Sequence, residues 1–205
     1  MDDTTRAELR GSSAGHAPHN VPQNVPPHSP PQGLQDGLPQ PCLPQWATRW
    51  MVRRDFDAVL PIEQDSFPEP WSENDFCEEV RHPLTIGRVA IDAHDRVVGY
   101  FVYTMAGRAI ELENFAVAAS YRRQGVGRMM LQRVVAALSP KRKLLRVVVA
   151  DYNLAAQLFF RARGLRCTAI EHAYARFRNG TPLDGYRFEI AWGDQRAVEA
   201  KESPR

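Results

Sequence analysis

Six residues, Arg122-Arg123-Gln124-Gly125-Val126-Gly127, constrain the fold of this 205-residue chain more than any others. Two glycines one residue apart let the backbone turn tightly and approach a ligand without Cβ obstruction. Ahead of them, Ile110-Glu111-Leu112-Glu113-Asn114-Phe115-Ala116-Val117 alternates polar and apolar and then becomes apolar, the pattern of a central strand. Behind them, Val126, Met129, Met130, Val134, Val135 and Leu138 recur at helical spacing. A helix starting there aims unpaired N–H groups and the positive end of its dipole at whatever the turn holds, so the favoured ligand is an anion.

Three kinds of turn share this outline. A dinucleotide fingerprint needs G-x-G-x-x-G, and Met130 stands at the third glycine position; a P-loop needs a G-x-x-x-x-G-K-S/T run, which the chain lacks. What remains is Arg/Gln-x-x-Gly-x-Gly/Ala, or an ordinary strand-to-helix turn with a basic rim.

The surrounding charge favours a polyanion. Eight Lys and Arg residues and no Asp or Glu lie between Arg122 and Arg146. The same segment has no aromatic side chain on which bases would stack, which disfavours nucleic acid.

Composition divides the chain. Residues 1–45 hold nine of the sixteen prolines and no aromatic residue, too little apolar surface to offset ordering, so they are expected to be a disordered Pro-rich tail. One domain is expected over 46–193 and a short polar tail over 194–205. Cys42, Cys77 and Cys167 are far apart and lack a CxxC pair, which supports neither a disulfide framework nor a metal site; Cys167 reads as a buried small hydrophobe. No apolar run approaches the roughly 18 residues of a membrane span, and the N-terminus does not read as a signal peptide, so a cytoplasmic protein is expected.

Within the domain, strands are expected at 46–52, 84–91, 97–104, 109–117 and 144–149. Helices are expected near 55–64, from a Ser72 cap to Val80, from Val126 to Leu138, and from an Asn153 cap to about Arg163. Two closing strands should flank turns at Asn179-Gly180 and Asp184-Gly185. This order describes an α/β domain with a strand meander before the glycine loop and helical crossovers after it.

The order resembles the GNAT N-acetyltransferase superfamily, and within it the bacterial ribosomal-protein alanine N-acetyltransferases. The likeness runs through Glu63-Gln64 to Phe67, Pro70-Trp71-Ser72-Glu73 and Phe76, Asn114 to Val117, Tyr121 to Arg128, Asn153 with its helix, and Gly164-Leu165. It implies a mixed sheet of about seven strands with flanking helices, and acetyl-CoA as co-substrate. It further implies that Phe115, Ala116 and Val117 lie along the pantetheine arm and that Arg122, Arg123, Gln124, Gly125, Val126, Gly127 and Arg128 hold the pyrophosphate. Asn153 and Phe160 are expected at the cofactor from the next helix.

Acetyl transfer to an amine needs a neutral amine, a polarised carbonyl and a departing thiolate. The family carries a glutamate base on the strand after the glycine-loop helix and a tyrosine acid on the following helix; this chain has Val148 and Phe160 there. Glu111 and Glu113 are replacement bases, with Glu111 preferred because histone-acetylating relatives carry their base at its position. The alternative is that these carboxylates make cross-strand ion pairs. Tyr174 matches a position at the substrate entrance and is a third candidate.

An α-amine, with a pKa of about 7.7–8.0, tolerates a weak base far better than lysine near 10.4. A protein or peptide α-amine is therefore the expected acceptor. A lysine, a small-molecule amine and a CoA-binding module without catalysis are the rivals.

Overall fold

The computed structural model describes residues 45–177 and 179–194. Along the chain run β1 (Ala47–Trp50), α1 (Phe56–Ser66), α2 (Glu73–Arg81), β2 (Thr85–Ile91), β3 (Val97–Thr104), β4 (Ala109–Val117), α3 (Val126–Val135), β5 (Leu144–Ala150), α4 (Leu154–Ala162), β6 (Arg166–Arg176) and β7 (Pro182–Ala191). The seven strands form one mixed sheet in the order β1-β2-β3-β4-β5-β7-β6. Every pairing is antiparallel except β4 with β5, which the α3 crossover joins in parallel. The α/β expectation and its seven strands are met.

Strand β3 shows why the sheet has two apolar faces. Tyr100 and Val102 pack into a cluster with Phe56, Val59, Ile62 and Phe76 from α1 and α2. Phe101 and Tyr103, one residue out of step, join Met130, Leu131, Val134 and Phe160 from α3 and α4. Successive strand side chains point to opposite faces, so a strand covered on both sides reads as a continuous apolar run.

Local signals set the helix ends. Ser72 caps α2: its hydroxyl accepts from the Asp75 amide while the Asp75 carboxylate accepts from Ser72 N–H at 2.7 Å. Asn153 caps α4 through Oδ1 and the Ala156 amide at 3.1 Å. Helix α3 stops at Val135, short of the expected Leu138, because Ala137 and Leu138 donate to carbonyls three residues back and tighten the last turn. Leu138 remains buried all the same.

Two expectations fail. Asp184-Gly185 is no turn but lies inside β7, where Tyr174 and Val148 press so close that a Cβ on Gly185 would sit 2.7–2.8 Å from them. Cys167 is exposed, not buried, because it lies on the edge strand β6, most of whose residues keep solvent contact. The expected tails over 1–45 and 194–205 lie outside the described residues, apart from Gln45 and Asp194. Among the described residues no helix is long and apolar enough to cross a membrane.

The feature that positions the site is a fork. Strands β4 and β5 pair only at Ala109↔Leu144, Ile110↔Leu145 and Glu111↔Arg146. Beyond that point β4 continues to Val117 and β5 to Ala150 without pairing to each other. Arg146 binds Glu111 at 3.2 Å and Glu189 of β7 at 2.7 Å, clasping three strands where the ladder ends.

Phe76 is fully buried against Phe56, Trp71 and Tyr100, at ring-centroid distances of 5.8, 5.2 and 5.4 Å. Phe76→Ala is expected to cost about 3–5 kcal/mol, read as a lower denaturant midpoint with an unchanged slope.

Candidate active site

Two cavities open on either side of the fork and share Phe115, Ala156 and Phe160 in their walls. One, of about 740 Å³, lies along α3 and α4; the other, of about 260 Å³, lies between the fork and the β6–β7 pair. Phe160 is buried at their junction, with the Phe115 ring 5.9 Å away.

The larger cleft is cationic. Arg122, Arg123, Arg128 and Arg163 line it, together with Gly125 and Gly127, and no carboxylate does. The glycine loop is already shaped. Gly125 has φ +93°, and Arg123 also takes a left-handed conformation at +64°, a strain that a loop keeps only when its surroundings hold it. They do: Arg122 Nε donates to Val117 O at 2.9 Å and its Nη2 to Ser66 Oγ at 3.1 Å, while Gln124 Nε2 donates to Ser120 O at 2.7 Å. Trp46 Nε1 donates to Gln124 O from outside. Helix α4 closes the other wall, with Phe159 in contact distance of a Cβ built on Gly127.

The open edge of β4 faces the same cleft. Ala118 N donates to Val98 O of β3, so by strand alternation Phe115 and Val117 direct their backbone groups the other way, toward the gap. The Val117 carbonyl is taken by Arg122, which leaves its N–H as the group available there.

Of the residues expected at the cofactor, Phe115, Val117, Arg122, Arg123, Gly125, Gly127, Arg128 and Phe160 line this cleft. Ala116 does not; its side chain packs under α1. Gln124 turns back to Ser120, and Val126 is buried in the core. Asn153 lines the smaller cavity instead, with its side-chain oxygen used as the α4 cap.

The smaller cavity is anionic, with Glu63, Glu69 and Glu113 in its lining against one arginine, Arg176. Glu113 is the extra residue of a β-bulge, since Val102 faces Asn114 and Tyr103 faces Leu112. Although its side chain keeps an exposed face, burial of the carboxyl, then the charges of Glu79 and Glu111, push its pKa up. Glu111 does not line the cavity: its carboxylate belongs to the Arg146 clasp. Glu113 thus lies on the cavity wall, whereas Glu111 makes the cross-strand ion pair with Arg146.

Tyr174 does line the cavity. A second irregularity, with Ala173 at φ +51° and Asp184 accepting from its amide at 2.8 Å, lays the Tyr174 ring over Gly185. Burial, then Tyr152 and Asp151, push its hydroxyl to a pKa of about 12. Such a phenol is a poor proton donor to a thiolate whose acid form lies near 8.5, and a serviceable hydrogen-bond donor. Val148, at the expected glutamate position, presents only methyl groups to the cavity.

Sequence reasoning gave Glu63 no part in the site. Its buried carboxylate accepts from Trp71 N–H at 2.8 Å, from Asn114 Nδ2 and from Tyr100 OH, tying α1 and the α1–α2 loop to β3 and β4 at the cavity wall. Burial raises its pKa; the bonds from Trp71 and Asn114 oppose that. The available signal was a carboxylate four residues after Val59, on the apolar face of α1.

A cationic cleft with an open strand edge thus meets an anionic cavity at an apolar junction. Residues 49–165 match the acetyltransferase (GNAT) family, and the chain belongs to that family of N-acetyltransferases. The family uses acetyl-CoA. Among known proteins, the chain is 26% identical over 129 residues to a Bacillus subtilis (strain 168) protein provisionally named ribosomal protein bS18-alanine N-acetyltransferase, covering 62% of this chain and 85% of that one. Its fold matches the Escherichia coli ribosomal-protein-S18-alanine N-acetyltransferase, with a TM-score of 0.62 and 22% identity over 71% of this chain and 93% of that one. It also matches Arabidopsis thaliana NAA60 in complex with acetyl-CoA, with a TM-score of 0.64 and 18% identity over 72% and 99%.

Gly185→Ala is expected to push Tyr174 and Val148 out of place and cost about 1–3 kcal/mol. Thermal melting should register that loss, and an acetyl-transfer assay should show a KM for the acceptor raised several-fold.

Proposed function

We propose that this chain transfers the acetyl group of acetyl-CoA to a protein or peptide α-amine by direct attack in a ternary complex. One observation carries the reading: cavities of opposite charge meet at Phe115 and Phe160, on the open edge of β4. In this reading the α3 N-terminus and its amides from Arg123 to Arg128 hold the pyrophosphate, and the N–H groups of Phe115 and Val117 pair with the pantetheine arm. The thioester then lies at the junction, and the acceptor ammonium is drawn into the carboxylate-lined side.

The acceptor must lose a proton before it attacks. Glu113 is proposed as the base: its raised pKa makes it a better proton acceptor than an ordinary carboxylate. The bound ammonium first gives one proton to Glu113, which passes it to water; the neutral amine nitrogen then bonds to the acetyl carbon, Glu113 takes the second N–H proton, the C–S bond breaks and CoA leaves as thiolate. Protonation of that thiolate, from Glu113 or water, restores the site. Glu111 is proposed to keep the clasp rather than move protons, and Tyr174 to orient the acceptor by hydrogen bonding. Weak basicity suits an α-amine, about a tenth neutral at pH 7, and not a lysine, neutral well below a thousandth. The reaction is placed in the cytoplasm, where its acyl donor is supplied. The domain is proposed to span 46–193.

An acceptor panel tests this. Peptides with free N-termini should outpace N-blocked peptides bearing one lysine by roughly two orders of magnitude at pH 7. Equal rates, or a preference for lysine, would contradict the proposal. Glu113→Gln should lower kcat about 10²- to 10⁴-fold and Glu111→Gln much less. With Glu113 intact, activity should be lost as pH falls through its raised pKa, because the base works only when ionised; the glutamine variant should lack that limb.

A further inference from the structure

We propose that Arg88, Arg133 and Arg142, gathered around the Tyr103 hydroxyl, form an anion site that takes a phosphate group, on the sheet face that α3 covers and outside both cavities. None of these four residues lines either cavity, so the site is independent of the coenzyme and acceptor readings.

Arg88 lies on β2, one strand in from the sheet edge, with only 8% of its surface exposed. Strand pairing sets it opposite Phe101, so Tyr103, two residues further along β3 on the same face, is its diagonal neighbour. On its other side stands Trp50 of β1, whose ring centroid is 5.2 Å from the guanidinium and whose surface is 60% exposed. Arg88 Nη2 donates to Thr48 O and Oγ1 at 3.1 and 3.2 Å, neutral acceptors that leave its charge uncancelled; Nε is shielded from solvent and has no hydrogen-bond partner.

The other two cations come from α3 and the turn after it. Tyr103 packs in one cluster with Val134 and Leu138, the chain neighbours of Arg133 and of the Ser139–Arg142 turn. Burial raises the Tyr103 pKa and the charges of Arg88, Arg133 and Arg142 oppose it, which sets three guanidinium groups about one hydroxyl. Burial, then the charge of Arg133, lowers the pKa of Arg88. Arg142 Nε is also shielded and unpartnered. Among the described residues no carboxylate pairs with any of the three. Glu79, at this end of the sheet, bonds Thr85 and Thr104, each one residue out of step with the Arg88 and Tyr103 face, and so lies under the opposite one.

A buried cation without a counter-ion is strongly unfavourable, and an entering anion relieves it. Phosphate suits these donors best. As a monoester it carries about −1.5 to −2 charge and three acceptor oxygens, which guanidinium forks and a neutral phenol O–H can share. A carboxylate offers a single charge and two oxygens to the same groups. The exposed Trp50 ring beside the site adds a stacking surface for a base, should the phosphate belong to a nucleotide.

NMR of the full chain, following the Trp50 indole N–H assigned through Trp50→Phe, tests the proposal. Inorganic phosphate and uridine monophosphate are titrated against chloride at matched ionic strength, with acetyl-CoA in excess to occupy the glycine loop. Phosphate should move the signal saturably and chloride should not. Arg88→Leu should weaken phosphate binding about tenfold or more, while Arg53→Ala, which removes an exposed positive charge elsewhere, should change it by less than about twofold. Should Arg88→Leu lose its cooperative melt, Arg142→Gln makes the same comparison. Tighter binding of uridine monophosphate than of phosphate assigns the site to nucleotides; equal or weaker binding assigns it to the free anion. A phosphate response no greater than that to chloride, or wild-type affinity in both arginine variants, would overturn the proposal. Failure to bind acetyl-CoA would count against the coenzyme reading alone.

Discussion

Everything in the site depends on where the β4–β5 ladder stops. Parallel pairing persists through Glu111 and Arg146 and then ends, although both strands continue. An unpaired strand edge inside a domain is costly unless something satisfies it, because backbone N–H and C=O groups are obligatory hydrogen-bonding groups. Here the gap is held open on purpose. Arg146 clasps Glu111 and Glu189 at the fork, Phe115 and Phe160 fill the space just beyond, and Arg122 takes one exposed carbonyl. In the proposed reading, an extended, hydrogen-bonding arm completes the slot that the fork makes.

Charge is sorted around that slot. Arginines without carboxylates line one side and three carboxylates with one arginine line the other. In the proposed reading, cofactor and acceptor, carrying opposite charge, are drawn to different sides of one apolar junction. The groups proposed to act there are modest: a bulged glutamate with a raised pKa and a tyrosine whose raised pKa makes it a poor acid. Positioning two reactants and excluding water between them supplies most of what such a transfer needs when the nucleophile is already partly neutral.

The fold was largely legible in the sequence because its signals are local. The Ser72–Asp75 box, the Asn153 cap and the alternation of β4 each act within a few residues, and each element lies within a few residues of its expected place. The glycine loop was legible for the same reason. What could not be read are relations across strands. Glu111 and Glu113 look equivalent by alternation, and only the bulge at Glu113 and the Arg146 clasp, 35 residues away from Glu111, separate their surroundings. Asp184-Gly185 has the letters of a turn, but Gly185 is needed inside β7 because Tyr174 and Val148 crowd its Cα. Glu63 gains its place at the site through Asn114, 51 residues on.

The central claim is that acetyl-CoA completes the sheet at the open edge of β4. Amide hydrogen exchange, followed residue by residue with and without acetyl-CoA, measures this most directly. Adding acetyl-CoA should slow exchange at the Phe115 and Val117 amides and across 123–128, with Ala118, already bonded to Val98, little changed. Binding of acetyl-CoA without protection at Phe115 and Val117 would contradict it.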